Sequence, residues 1–94
     1  MPTYVGTSYS ARFDLGDATE RGVSKRFGYI KRGLSEIFGK VGEDCRRRDL
    51  EREVVDGRAI ASCWIIDRRK DLESKLSELP GHLSTMKEEL WYCT

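Results

Sequence analysis

Histidine occurs once, at His82, and the three cysteines, Cys45, Cys63 and Cys93, are far apart with no C-x-x-C pair. A structural zinc site needs four nitrogen or sulfur donors in close groups, so no recognisable zinc module is written here. An odd cysteine count, with no 18-residue apolar run and no visible amino-terminal leader, points to a reducing, cytoplasmic setting with free, mostly buried thiols. Net charge is nearly absent too. Seventeen basic residues against sixteen acidic ones leave +1, too little for a global field toward nucleic acid or an anionic membrane. Also missing are a P-loop, a G-x-G-x-x-G turn and any Ser-His-Asp or Cys-His arrangement, which argues against nucleophilic and dinucleotide chemistry.

What is present is periodicity. Val23, Phe27, Ile30, Leu34, Ile37 and Val41 recur at steps of four and three, the stripe of an amphipathic helix expected over 17–41, with Arg21, Lys25 and Arg32 on the opposite side. Asp17, followed three residues later by Glu20, reads as its capping box. Gly22, Gly28 and Gly33 fall inside this span, each costing roughly 1 kcal/mol relative to alanine unless another element approaches closely.

Thr3 to Leu15 alternates: Val5, Thr7, Tyr9, Ala11, Phe13 and Leu15 on one side, Tyr4, Gly6, Ser8, Ser10, Arg12 and Asp14 on the other. That is a half-buried strand. Arg46 to Ile66 reads as a hairpin about Asp56-Gly57, a pair suited to a two-residue type I′ turn. Pairing outward sets Val54 against Ala59, Arg52 against Ala61, Leu50 against Cys63 and Arg48 against Ile65 on an inner face. Glu53, Glu51 and Asp49 then line the outer face beside Ile60 and Trp64. The charged stretch 44–55 competes as helix. Asp67 is a plausible cap for a short second helix carrying Leu72, Leu76 and Leu79 and ended by Pro80-Gly81, and Met86 to Cys93 forms a last strand.

One domain over 1–94 follows, of α+β class. The expected architecture is ferredoxin-like βαββαβ, an antiparallel sheet with two helices on one face. Its other face, with Trp64, Trp91 and Tyr4 beside Glu51 and Glu53, is the expected contact surface for a protein or nucleoprotein partner or a homodimer, because exposed aromatics favour interfaces, with the basic helix face as the alternative surface for that partner. This makes the chain a small non-enzymatic regulator or inhibitor, of a kind found among microbial and phage proteins, needing no cofactor and no membrane.

Two families share short features with it. A chain starting Met-Pro-Thr-Tyr, with Arg12 beyond, resembles the small tautomerases, which implies Pro2 as general base and an arginine for a carboxylate substrate. Phe13-Asp14-Leu15 closing the first strand, with Ser62-Cys63-Trp64-Ile65-Ile66 running into a short helix, resembles the ferredoxin-like nucleases of CRISPR-adaptation and toxin-antitoxin loci. That resemblance implies a metal-dependent endoribonuclease dimer in which Asp14 and its mate hold Mg²⁺. A lesser alternative is an RNA- or DNA-binding module using Lys25, Arg26, Lys31, Arg32, Arg46, Arg47 and Arg48 on phosphates. Against that stand the sheet's carboxylates and the lack of the aromatic signature of RNA-recognition modules.

Overall fold

The architecture is that of a computed structural model, which describes residues 1–38, 45–47, 50–69 and 71–93. The elements are β1 (Pro2–Asp17), α1 (Val23–Phe38), β2 (Cys45–Arg47), β3 (Glu51–Val55), β4 (Arg58–Asp67), α2 (Glu73–Ser77) and β5 (His82–Cys93). They build an α+β fold of one antiparallel sheet and two helices. Its order is β2-β4-β1-β5, with β3 also paired to β4. No helix among the described residues is long and apolar enough to cross a membrane.

The alternation of β1 sets the layering. Thr7, Tyr9, Ala11, Phe13 and Leu15 are all buried, and across from them Ala59, Ala61, Cys63 and Ile65 of β4 are buried as well. Val23, Ile30 and Leu34 of α1, with Leu72 and Leu76 around α2, join the same cluster. Both helices therefore cover one face of the sheet. Alanines at 11, 59 and 61 leave room for Tyr9, Phe13 and the helix side chains. Each fully buried side chain the size of Ile30 or Leu76 contributes roughly 1.5 to 3 kcal/mol.

The hairpin turns where expected, with positive φ at both Asp56 and Gly57, 51° and 75°. Its register is also as expected from Glu51 to Val55: Val54 faces Ala59 and Arg52 faces Ala61. Farther out it shifts by one residue, so that Arg47 stands opposite Ile65 where the outward count places Arg48. Arg48 and Asp49, like Val41, lie outside the described residues. Among the described residues of 44–55 the helical alternative is not adopted, since Cys45–Arg47 and Glu51–Val55 are strands.

Two expected caps are corrected. Asp17 accepts hydrogen bonds from Thr19 N and Thr19 Oγ1, at 2.8 and 2.7 Å, closing a turn ahead of the helix. The first α1 bond instead runs from Arg26 N to Gly22 O, 3.0 Å, and Glu20 pairs with Arg26. Asp67 caps nothing either. It is buried, and Arg69 grips it with Nε at 3.1 Å from both oxygens and Nη2 at 2.5 Å from Oδ2.

Of the glycines placed in the helix, Gly33 serves a close approach: a Cβ there would overlap Cδ2 of Leu79. Gly28 meets nothing within 4 Å. Gly81, at φ +77°, ends the α2 segment and passes so near β1 that a side chain would strike the Asp14 carbonyl oxygen. The chain then enters β5 at once, earlier than the expected start at Met86.

Candidate functional site

The sheet face opposite the helices is built by the even-numbered residues of β1 between its two irregularities, Gly6 to Asp14, and of β4, together with Glu51 and Glu53 of β3. Ser10, Arg12, Glu51, Glu53, Ser62 and Trp64 line a concavity there of about 340 Å³. Arg12 and Glu53 approach to 3.8 Å across it, with both side chains about half exposed, a pairing worth at most ~1 kcal/mol. Toward β5 the same face carries Ile66, Leu90 and Met86, the last 74% exposed. Trp64, Glu51 and Glu53 are thus brought together as expected.

Tyr4 and Trp91 are not with them. The pairing of β1 with β5 shifts between Tyr4 and Gly6, where Val5 is an extra residue. Because side chains alternate along a strand, one inserted residue turns all beyond it to the opposite face. Tyr4 accordingly joins its hydroxyl to that of buried Thr7 on the helix side, and its ring meets Trp91 edge-on at 5.3 Å. These residues belong to a two-stranded ribbon, Pro2–Gly6 with Leu90–Cys93, that runs past the last β1–β4 pair, Thr7 with Asp67.

A second concavity, of about 490 Å³, lies at the opposite end and is lined by residues including Asp14, Glu20, Arg26, Tyr29 and Arg58. Asp14 sits just before a β1 irregularity that spans Leu15. Its Oδ1 accepts the Gly16 N–H at 2.8 Å, and its Oδ2 accepts Arg58 Nε and Nη2, both at 2.9 Å. Those bonds hold its carboxyl below the ordinary range and raise the Arg58 guanidinium in turn. Arg26 Nη1 donates to Leu15 O and Glu20 Oε2, at 2.7 and 2.8 Å.

A magnesium ion favours hard oxygen ligands with room for several waters. Asp14 does not fit that requirement, because Arg58 already occupies the approach to Oδ2 and the backbone holds Oδ1. Nor do three or more His, Cys, Asp or Glu side chains converge anywhere among the described residues.

The basic set divides. Lys25, Lys31 and Arg32 are exposed on α1, whereas Arg26 turns back to β1 as above. Arg46 and Arg47 lie in β2 opposite Ile66 and Ile65 at the sheet edge, and Arg48 is outside the described residues. Arg52, on the inner side of β3, instead reaches the helix, with its guanidinium carbon 5.6 Å from the Phe27 ring centroid and Nη1 3.5 Å from Ser24 Oγ. Pro2 and Arg12 lie ten residues apart on one strand, about 33 Å at roughly 3.3 Å per residue, too far to share a substrate.

Sequence reasoning missed the polar cluster under the helix. Tyr9, fully buried, donates its hydroxyl to Arg69 O at 2.9 Å, and burial pushes its phenol up from the ordinary value. Arg69 also bonds Asp67 and, at 3.4 Å, the Ile37 carbonyl. The available signal was Asp67 itself, which falls on the inward side of β4 in the same alternation as Cys63 and Ile65. Of the cysteines, Cys63 is buried and Cys93 is exposed. No protein-family model matches the chain, and no curated protein or solved structure matches it.

Proposed function

We propose that the chain is a non-enzymatic interaction domain that holds a protein partner against the uncovered face of its sheet. The observation that carries this is the concavity of Trp64, Ser10, Ser62 and Arg12 flanked by Glu51 and Glu53, on a face that neither helix covers. An aromatic floor with an acidic rim suits a partner segment that combines apolar and basic residues, since interface cores favour aromatics and complementary charge sets register and encounter rate. The same carboxylates repel phosphates, which favours a protein over RNA at this site. We read the strand order β2-β4-β1-β5, with β4 between β1 and the arm formed by β2 and β3, as support for a ferredoxin-like scaffold beneath this surface.

Affinity capture from the native host, with wild type beside Trp64→Ala and the double variant Glu51→Lys/Glu53→Lys, tests it. A partner held by wild type and lost by both variants, each still folded by circular dichroism, is the expected result. Equal capture by all three places the contact elsewhere. The metal-dependent endoribonuclease alternative is disfavoured by the engagement of Asp14 with Arg58. Incubating RNA and Mg²⁺ with wild type and Asp14→Ala tests it, and equal inertness removes it.

A further inference from the structure

β5 ends the sheet. It pairs with β1, and among the described residues no strand pairs with its other side. Such an edge exposes a row of backbone donors and acceptors that can template another strand, and proteins usually blunt it with proline, bulges or several lysines. From Ser84 to Cys93 β5 pairs without an inserted residue of its own, has no proline, and carries one lysine, Lys87. The irregularity at Leu83 precedes this stretch. Exposed apolar groups accompany it: Met86 at 74% and Tyr92 at 62%.

We propose that β5 pairs antiparallel with β5 of a second copy of this chain about a two-fold axis at Glu88, joining two sheets into one. Three constraints select that axis. Residues facing each other across a continuous sheet must lie on the same side, so the axis passes through a residue and not between two. The pairing must use the regular stretch. An axis at Met86 or Lys87 runs into Leu83 early, whereas axes at Glu88 and Glu89 engage Ser84 to Tyr92 and Thr85 to Cys93.

Side-chain chemistry then separates the last two. About Glu88, Lys87 of each copy faces Glu89 of the other on the helix side, and Met86 faces Leu90 on the far side. About Glu89, Glu88 faces apolar Leu90 and neither ion pair forms. The cost of the chosen axis is Glu88 against its own copy, on the exposed far side. A two-fold contact of this kind is self-complementary and closes as a dimer, and it also sets the two far faces side by side.

Sedimentation velocity over a dilution series tests the pairing. Wild type is expected to dimerise, and Glu88→Gln to tighten the dimer. Lys87→Glu alone and Glu89→Lys alone should each weaken association by roughly tenfold, because two symmetry-related pairs turn from attraction to repulsion. The double variant Lys87→Glu/Glu89→Lys should recover wild-type association. These side chains are exposed, and circular dichroism of each variant is the control for folding. A wild type that stays monomeric at all concentrations overturns the proposal. So does a dimer indifferent to both single reversals, or one that the double variant fails to restore. Trp64 lies on β4, so the outcome is independent of the partner test.

Discussion

Two glycines in one helix give a matched comparison. Gly28 and Gly33 both lie within α1, where replacing glycine by alanine removes backbone freedom from the unfolded chain and gains roughly 1 kcal/mol. At Gly28 nothing stands within 4 Å of the new Cβ, so the whole gain should appear. At Gly33 the Cβ would overlap Cδ2 of Leu79, which is partly buried against the core and must swing away to make room. Displacing a packed side chain from its rotamer costs about 0.5 to 1.5 kcal/mol, enough to cancel the gain. Gly28→Ala should therefore raise the melting temperature by roughly 4 to 8 °C for a domain of this size, with Gly33→Ala unchanged or lower. Calorimetry and urea unfolding of the two variants provide the measurement. Equal stabilisation at both positions would refute the packing of Leu79 on α1, and no gain at Gly28 would refute its placement within an ordinary helical turn.

Two further outcomes concern titrating groups. Tyr9→Phe should cost about 1 kcal/mol near neutral pH through loss of the bond to Arg69 O. Because the folded-state pKa of Tyr9 is raised, its contribution is complete below the unfolded value and is lost as pH rises through the folded one. The variant's stability should hence fall less steeply on the alkaline side, and identical slopes in urea titrations would refute the burial argument. Asp14 behaves in the opposite sense. Its folded pKa is depressed, so its contribution is present above the ordinary value of 3.8 and is lost as pH falls through the lower folded value. Asp14→Asn should flatten the acid limb, and Arg58→Ala should move the Asp14 carboxyl resonance back toward its ordinary titration. An unmoved resonance would show that the pair does not persist in solution.

How much could be read from the residues depended on whether the signal was periodic. The stripe from Val23 to Ile37, the alternation of β1 and the Asp56-Gly57 turn each repeat one physical preference, and the helix, the buried strand face and the register of β3 on β4 follow them. Single-residue events left no such trace. An inserted Val5 sends Tyr4 to the helix side, where the unbroken alternation of β5 already puts Trp91, a placement that depends on how β5 aligns with β1 and not on the composition of either. Asp17 and Asp67 both look like helix caps, because a carboxylate ahead of an apolar run satisfies that description whatever it eventually binds. Their actual partners, Thr19 and Arg69, are each only two residues away. For the proposed contact surface, the shared face of Glu51, Glu53 and Trp64 was legible because hairpin pairing fixes which side each faces. The association of Asp14 with Arg58 joins strands far apart in the chain and was not.

Among these strands β1 is made first and satisfied last. Phe13 must wait for Ala61 on one flank and His82 on the other, while the helix that follows it can form early. A newly synthesised chain thus carries an unsheltered stretch of tyrosine, phenylalanine and leucine until β5 has emerged. Closing such distant segments is slow relative to helix formation, and an incomplete chain is the state in which this sequence is most prone to aggregate.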